Sequence, residues 1–417
     1  MVFKIRSSYE KKDKIMGRIN KVKKHSIFQQ EIESSRKIEA DRSLTIEERK
    51  NKRYSKIDAI FEEIADKKNR YLFYCPDIPF ACSMVKIIYE YAYKLQTAGF
   101  TVRILHEVKG FKPDWLDFIW KKDLNVIYMS EKKNNRMTKP EVSFKPTDTL
   151  IVPDGFWTVM KNLYDVKTIH KVVLAFGYGG VITAEPGINW GHLGFGDVIC
   201  MSQKIADDYK ILWPKLNYYT IGYEIDLVTV KPIQRTDIKP VIGLMTRDRE
   251  DASMFINIFY SRYPFLDMFD FKILKKLNTT QYINALKTCA GMVFIDDQSG
   301  HPAPPIEAIA LDVPTISVYG RGLEHLKDQE GVYMIPIKDL YLLAEETAGF
   351  CLDWIKTPTK TIKDKKIVKN YSPDKVLSGL LTTFNLFQEK QIKTWAAVRK
   401  AVDENKLSDD FDKNSYI

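Results

Sequence analysis

The stretch GMVFIDDQSGHPAPPIEAIALDVPTISVYG, residues 291–320, decides the fold of this chain. Its apolar run at 292–295 predicts a buried strand, the segment rich in Gly, His and Pro predicts a loop, and PPIEAIA predicts a short helix. Pro304 and Pro305 suit the first turn of that helix, because proline lacks the N–H group that a helix start leaves unpaired. A second apolar run follows at 315–319. This order of strand, loop, helix and strand is typical of a parallel α/β sheet.

Short apolar runs alternate with helical patterns along most of the chain. Strands are predicted in two series, at 71–75, 102–106, 125–129, 149–153, 171–176, 197–201 and 218–222, and then at 241–245, 271–274, 292–295 and 315–319. Helices are predicted between them, for example at 82–99 and 279–289. A stretch at 224–240 separates the two series as a linker. We therefore expect an α/β protein with two Rossmann-like, doubly wound domains.

The two ends of the chain differ from these series in composition. Residues 1–68 are mostly polar and charged, with an amphipathic helix predicted where Ile46, Tyr54, Ile57, Ile60, Phe61 and Ile64 share one face. We expect four segments: a basic helical extension at 1–68, an N-terminal Rossmann-like domain at 69–232, a C-terminal one at 233–371, and a helical tail at 372–417 that packs back on the N-terminal domain.

Composition narrows the class of protein. Of the 417 residues, 45% are hydrophobic and 28% charged, as in a soluble globular protein. No apolar run reaches the roughly 18 residues of a membrane helix, and the N-terminus lacks the apolar core of a secretion signal, so a cytoplasmic protein is expected. The five cysteines are scattered without a C-x-x-C pair, which argues against a zinc knuckle or a disulfide framework.

The net charge of +10 is concentrated at the N-terminus. Residues 1–70 hold 20 Lys and Arg against 12 Asp and Glu, a surplus of +8 that leaves only +2 for the rest of the chain. A basic arm of this kind can bind nucleic acid, anionic lipid or an acidic partner. A solvated helical extension would have the same composition.

Glu307 is the single acid in the apolar helix of the opening stretch. The first turn of a helix carries free N–H groups and the positive end of the dipole, so it attracts anions such as phosphate. A carboxylate at this place can accept hydrogen bonds from ribose or sugar hydroxyls. The dipole alone also favours an acid there, so the residue type by itself leaves both interpretations open.

Residues 299–320 resemble the donor-binding segment of the GT-B glycosyltransferases, particularly family 4, which typically reads E-G-F-G-x-P-x-x-E-A-M-A-x-G-x-P-V-I. The matching residues are Gly300, Pro304, Glu307, Ala308, Ala310, Pro314 and Ile316. KPVIGLMTRDRED at 239–251 resembles the opening strand of the family's C-terminal domain. YYTIGYEIDLVTVKP is similar to its interdomain turn, and GDVICMSQKIADDY to the last strand and helix of its N-terminal domain. The likeness is collinear from about residue 70 to residue 346.

The resemblance implies a nucleotide-sugar-dependent glycosyltransferase that retains the anomeric configuration. The N-terminal domain would bind the acceptor and the C-terminal domain a UDP- or GDP-sugar donor. Glu307 would hold the ribose hydroxyls, while Arg247 and the backbone amides of the loop at Ser299, Gly300 and His301 would neutralise the diphosphate. Since cationic side chains and helix termini carry out this neutralisation in GT-B enzymes, no metal is implied.

The sequence departs from the family pattern at three places. Ser299 stands where the first acid of the E-x7-E pattern is expected. Ala252 takes the place of the family's lysine, and Arg249 is the nearest substitute. The glycine-rich loop after the first strand is replaced by DIPFACS at 77–83.

A second glycine-rich loop lies at 176–197, where seven of the chain's 20 glycines fall between Gly177 and Gly196. Such a loop can approach a substrate closely or move as a lid. In the resembling family a histidine often follows the strand that matches VVLAF, but this chain has Phe176–Tyr178 there. His192 is therefore our predicted catalytic residue, with a surface or core histidine as the alternative.

The acceptor is a separate question. The basic arm and the high Lys, Asn and Ile content favour a phage or low-GC bacterial enzyme that glycosylates hydroxylated bases in DNA. A lipid-linked or cell-surface glycan, with the basic arm on an anionic membrane surface, is the rival acceptor. A non-catalytic protein that reuses the fold for binding or assembly is the third possibility.

Overall fold

The computed structural model describes residues 45–404, except 67, 118, 131, 134–135, 138–141, 165, 167–168, 226–231, 235, 237, 298–299, 301–302 and 337. It divides into two compact units. The larger comprises residues 63–391, and in the smaller the described residues are 45–62 and 392–404.

Seven parallel strands form the first sheet of the larger unit. Its strands are β1 Arg70–Tyr74, β2 Thr101–Val108, β3 Val126–Ser130, β6 Thr149–Pro153, β7 His170–Ala175, β8 Asp197–Cys200 and β9 Asn217–Thr220. Two further strands, β4 Lys132–Lys133 and β5 Arg136–Met137, form a separate short antiparallel pair. The order in the seven-stranded sheet is β3-β2-β1-β6-β7-β8-β9. The direction of winding therefore reverses between β1 and β6, and ligands of such sheets bind outside the carboxyl ends of the strands at this reversal.

Five parallel strands form the second sheet. They are β10 Lys239–Thr246, β11 Asp270–Ile273, β12 Cys289–Ile295, β13 Thr315–Val318 and β14 Val332–Ile335. Their order is β11-β10-β12-β13-β14, so the winding reverses between β10 and β12. The carboxyl ends of these two strands are Thr246 and Ile295.

Helices connect the strands of both sheets. They are α1 Ile46–Ala65, α2 Ser83–Thr97, α3 Trp157–Asn162, α4 Gly179–Ile182, α5 Gln203–Leu212, α6 Arg249–Arg262, α7 Thr279–Leu286, α8 Ala303–Ala310, α9 Leu340–Lys356 and α10 Pro373–Asp403. Short 3-10 helices lie at Ile119–Asp123, Trp190–Leu193, Pro264–Leu266, Arg321–Leu326 and Lys366–Tyr371. Parallel strands require such crossover helices, which cover both faces of each sheet.

The central strands are buried along their whole length. Every residue of β6 and of β12 is buried, which is why these strands read as continuous apolar runs instead of alternating ones. The α/β class with two parallel, doubly wound sheets and a helical tail is thereby confirmed. Within α1, the predicted apolar face contributes Ile57, Ile60 and Ile64 to the interior.

The helical tail completes the core of the first sheet. The Phe384 ring on α10 lies 5.0 Å from that of Tyr71, 6.0 Å from Phe73 and 6.2 Å from Phe100. Phe387, one turn further along, packs edge-on against Tyr219 at 5.2 Å. The first sheet therefore owes part of its covering to residues that follow both sheets in the sequence.

An ionic group lies under this tail at the amino ends of β7 and β8. The Asp197 carboxylate is buried and accepts hydrogen bonds from His170 Nε2 at 2.6 Å and Lys390 Nζ at 2.5 Å. These three residues lie at the edge of the sheet opposite to its carboxyl ends, so we assign them to the docking of α10 and not to ligand binding.

Some elements differ from the sequence prediction. Strand β14 and the β4–β5 pair are not predicted by the apolar pattern, because they are short edge elements with half-buried or polar residues. Cys289 begins β12 instead of ending a helix. Within the described residues, no helix combines the length and the apolar character that a membrane span requires.

Candidate functional site

A cavity of about 270 Å³ opens between α2, the helix that follows β1 of the first sheet, and the carboxyl edge of the second sheet. One wall is built from the start of α2 with the loop before it, and from the loop after β2; the other is built from the ends of β10 and β11 and from α7 and α8. The polar and aromatic side chains that line it are Cys82, Ser83, Lys86, Glu90, Trp115, Tyr223, Glu224, Thr246, Lys275, Lys276, Thr279, Tyr282 and Glu307. It therefore lies where the winding of the second sheet reverses.

Glu307 lies in the first turns of α8 and reaches this cavity while being only 9% exposed. Burial raises the pKa of its carboxyl group, while the charge of Lys86 and the nearby Tyr282 hydroxyl lower it. The Tyr282 hydroxyl is buried, yet no residue of the described part of the chain gives it a hydrogen bond of normal geometry. The carboxylate and the hydroxyl thus form a polar patch that has capacity to bind a ligand.

Three lysines give the cavity its positive charge. Lys86 follows the start of α2 by one turn, and Lys275 and Lys276 follow β11. Lys275 Nζ donates to the Arg247 carbonyl at 3.0 Å, and Lys276 has a positive φ of 59°. A non-glycine residue in this region of φ is uncommon and occurs most often at turns and functional sites.

The start of α2 also faces the cavity with its backbone. Cys82 is the N-cap residue, and its side chain makes no capping hydrogen bond. The N–H groups of the first turn, beside Ser83, therefore remain available to an anion, as at other helix starts. In this wall DIPFACS replaces the expected glycine-rich loop.

A salt-bridge network extends from the cavity along α2. Lys86 Nζ lies 3.7 Å from Glu90 Oε1, and Lys94 Nζ lies 2.5 Å from Glu224 Oε2. Glu90 is 6% exposed. Burial raises its pKa to about 7, a shift that the positive charges of Lys86 and Lys94 oppose.

The two walls are joined beside the cavity. The Thr280 hydroxyl at the start of α7 donates to Asp117 Oδ2 at 2.8 Å, next to Trp115. On another side, the backbone of Gly300 touches that of Gly177 and the side chain of Ile205. These contacts hold loops from the carboxyl ends of both sheets together.

The glycine loop after β7 is held by Asp154. Its buried carboxylate accepts hydrogen bonds from the backbone N–H groups of Phe176 at 2.9 Å and Gly180 at 3.3 Å. Burial raises the pKa of Asp154 to about 6, and these N–H groups oppose the rise. Asp154 directly follows β6, so hydrogen bonds to a residue at the carboxyl end of β6 hold this loop in place.

The predicted site residues fall in different places. Glu307 lines the cavity, and Gly300 lies at the contact between the two sheets' loops. The Arg247 side chain is 52% exposed, with its guanidinium 3.6 Å from Asp296, and Arg249 is exposed at the first position of α6. Ser299 and His301 lie outside the described residues.

His192 has a local hydrogen-bonding role. Its Nδ1 accepts from the Asn189 backbone N–H at 3.1 Å, and its own N–H donates to the Asn189 side chain at 3.2 Å. This reciprocal capping box fixes the short helix Trp190–Leu193. The His192 side chain is exposed and is not part of the cavity lining, so its catalytic role stays a prediction.

Sequence reasoning did not single out Lys86, Glu90, Lys275 or Tyr282. The signal for the first two was an i,i+4 pair of opposite charges in a helix with many apolar residues. Ala252, which replaces the expected lysine, is 2% exposed in the core of the second domain. No group of three or more metal-ligating side chains occurs among the residues described.

No protein-family model and no curated protein sequence matches the chain. Solved structures do match over most of its length. The pneumococcal O-GlcNAc transferase GtfA in complex with UDP and GlcNAc has a TM-score of 0.55 at 10% identity, covering 78% of this chain and 99% of that one. The S. aureus TarM, in a complex that contains UDP, has a TM-score of 0.54 at 10% identity, covering 76% and 100%.

A third match is the sucrose-phosphate synthase of Thermosynechococcus elongatus, with a TM-score of 0.53 at 12% identity, covering 77% of this chain and 98% of that one. At such low identities the likeness is one of fold. Two parallel α/β sheets with a cavity at their carboxyl edges, matched along nearly the full length of these enzymes, give the conclusion: the chain has the fold of the GT-B glycosyltransferases.

Proposed function

We propose that the chain is a glycosyltransferase that takes its sugar from a nucleotide-sugar donor. The observation that carries the proposal is the buried Glu307 carboxylate, which lies in a cavity that also contains Lys86, Lys275 and Lys276. A nucleoside diphosphate needs both features, because its ribose offers hydroxyl donors and its phosphates need cations. The fold, shared with glycosyltransferases, supports the same conclusion.

In the proposed complex, Glu307 accepts hydrogen bonds from the ribose hydroxyls. The diphosphate lies near the N–H groups at the start of α2 and the lysines. As the glycosidic bond breaks, negative charge builds on the leaving diphosphate, and fixed cations and helix N–H groups stabilise that charge without reorganising. Arg247 and Arg249, with the loop of Ser299, Gly300 and His301, are proposed as further diphosphate contacts, and His192 as a catalytic group.

We infer a UDP- or GDP-sugar donor, no metal requirement, and transfer with retention of configuration by attack on the same face as the leaving phosphate. Retention is tested by following the anomeric proton of the product by NMR during turnover. An inverted product would contradict this part of the proposal and leave nucleotide-sugar dependence standing.

The decisive experiment is a panel of UDP- and GDP-sugars tested with the purified chain. We expect at least one donor to raise the melting temperature and to be hydrolysed slowly to free nucleotide. Glu307→Gln should weaken donor binding and so reduce both effects, whereas Glu346→Gln, at an exposed acid on α9, should change neither. Binding without nucleotide release or transfer to any acceptor would favour a non-catalytic binding protein. Absence of binding by every donor would reject the proposal.

For the acceptor we propose duplex DNA with hydroxylated bases, because residues 1–70 carry a surplus of +8, from 20 Lys and Arg against 12 Asp and Glu. Phosphate contacts release counterions, so affinity for DNA should fall steeply between about 50 and 200 mM salt. A chain that lacks residues 1–44 should lose most of that dependence. If affinity does not change with salt, DNA is excluded. If the chain instead floats with anionic vesicles and does not bind DNA, a lipid-linked or cell-surface acceptor is favoured.

A further inference from the structure

The cavity contains a second buried carboxylate that no sequence pattern identifies. Glu90 lies on α2, on the opposite wall from Glu307, and is 6% exposed. Its helix neighbours Ile87, Ile88 and Tyr91 are buried in the apolar core. A carboxyl group is seldom left in such surroundings unless it is paired or bound to a ligand.

The charges around Glu90 are too few to explain it as a structural ion pair. Its partner Lys86, at 3.7 Å, is also the cation whose charge acts on Glu307, so one ammonium group serves two buried carboxyls. Lys94, the next cation on α2, is paired with Glu224 at 2.5 Å. Lys86 and Lys94 lower the pKa of Glu90, while Glu224 and Glu307 add to the rise that burial causes. Two buried carboxyls on opposite walls of the cavity are therefore both under the charge of Lys86.

The Tyr282 hydroxyl is a separate indication of a ligand. It is buried next to Glu307, and within the part of the chain that the structure describes it makes no hydrogen bond of normal geometry. Buried hydroxyls of folded proteins almost always have a partner. A ligand hydroxyl in the cavity would supply it.

We propose that Glu90 is a second ribose-binding carboxyl group, so that a vicinal diol is held from both domains at once. This inference rests on the proposed function. Each ribose hydroxyl is both a donor and an acceptor. Glu307 and Glu90 accept the two hydroxyl protons, while Lys86 and Tyr282 donate to the hydroxyl oxygens.

The experiment compares nucleotides that differ only in the diol. Isothermal titration of the full chain with UDP, 2′-deoxy-UDP and 3′-deoxy-UDP, and with the corresponding guanine nucleotides, gives the ratio of affinities. We expect the wild type to prefer the ribonucleotide at least tenfold. Glu90→Ala should reduce that preference below threefold, and Glu90→Gln should keep most of it, because an amide still donates and accepts. Glu346→Gln is the matched control and should behave as the wild type.

A role for Glu90 in folding alone would lower the affinity for ribo- and deoxynucleotides equally, and that result would overturn the inference. An unchanged ratio of ribonucleotide to deoxynucleotide affinity in Glu90→Ala would also overturn it. The same holds if the wild type binds ribo- and deoxynucleotides equally tightly. If Glu90→Ala does not fold, Glu90→Met keeps the side-chain volume and decides the question by the same ratio. A wild type that binds none of these nucleotides rejects the proposed function itself, and the inference with it.

Discussion

Gly177 and Gly300 meet backbone to backbone where the loops of the two sheets touch. A Cβ atom on Gly300 would lie 2.7 Å from the Cα of Gly177 and 2.8 Å from the end of the Ile205 side chain. One loop follows β7 and the other follows β12. This contact between the two loops therefore requires that position 300 lack a side chain, while a Cβ on Gly177 would lie a tight 3.2 Å from the Gly300 nitrogen.

Gly300→Ala should separate these loops. The backbone of Gly177 cannot yield as a flexible side chain would, so we expect a loss of about 1–3 kcal/mol in the free energy of unfolding. Urea denaturation measures it. Gly349→Ala is the control, because a Cβ there meets nothing within 4 Å and alanine is favoured in a helix such as α9. Equal effects of the two substitutions would refute the steric argument.

Glu307→Gln should weaken nucleotide binding without harming the fold. Hydrogen bonds to a charged acceptor contribute about 1.5–3 kcal/mol, so the affinity for the donor nucleotide should fall by roughly 10- to 100-fold. Burial raises the pKa of this carboxyl group, so a neutral amide removes an unfavourable charge. Titration calorimetry and thermal melting separate the two effects. A variant that binds as tightly as the wild type would contradict the ribose contact.

Glu90→Gln should make the protein more stable in alkaline solution. The pKa of Glu90 is about 7 in the folded chain, against an ordinary value of 4.5, so the folded state keeps a proton that the unfolded state has lost. Stability of the wild type therefore falls as the pH rises from about 4.5 to 7. Above pH 7 the variant should be more stable by up to about 3 kcal/mol, and the advantage should disappear below pH 5. Unfolding curves from pH 4.5 to 8.5 test this, and an advantage at all pH values would contradict the stated cause.

Asp197→Asn should strongly destabilise the chain. Burial opposes ionisation of Asp197, but the hydrogen bonds and charges of His170 and Lys390 hold its pKa well below the ordinary 3.8. The carboxylate therefore contributes stability above about pH 4 that is lost as the pH falls through the lowered pKa. Breaking a buried ionic group of this kind costs about 3–5 kcal/mol.

Urea unfolding at pH 7 and at pH 3 provides the measurement for Asp197→Asn, and the loss should be smaller at the lower pH. Asp353→Asn is the control, since that side chain is 77% exposed and its ion pair with Lys356 is on the surface. We expect its effect to stay within about 0.5 kcal/mol. Similar losses in the two variants would show that burial does not set the cost.

The strands could be predicted from sequence because strands covered on both faces are apolar throughout, as β6 and β12 are. Glu307 could be singled out from the sequence, since a lone acid in an apolar helix is a local conflict, and the structure places it in the cavity lining; its role in binding stays a prediction. Lys86 and Glu90 could not, because an i,i+4 pair on a helix has the same pattern whether it faces solvent or a cavity. Whether such a pair faces solvent or a cavity depends on where the second sheet lies, and the local sequence pattern contains no information about that position. The ion pair of Arg247 with Asp296 likewise joins residues that are far apart in the sequence and could not be read from a local pattern.

The packing of Phe384 on Tyr71, Phe73 and Phe100 has a consequence for synthesis of the protein. These three rings leave the ribosome before the second sheet is made, whereas their cover on α10 is translated after it. Throughout translation of the second domain, a nascent chain must carry an apolar surface that it cannot yet bury, and such surfaces promote aggregation. Premature termination before α10 should therefore yield insoluble fragments, even when both sheets have been made in full.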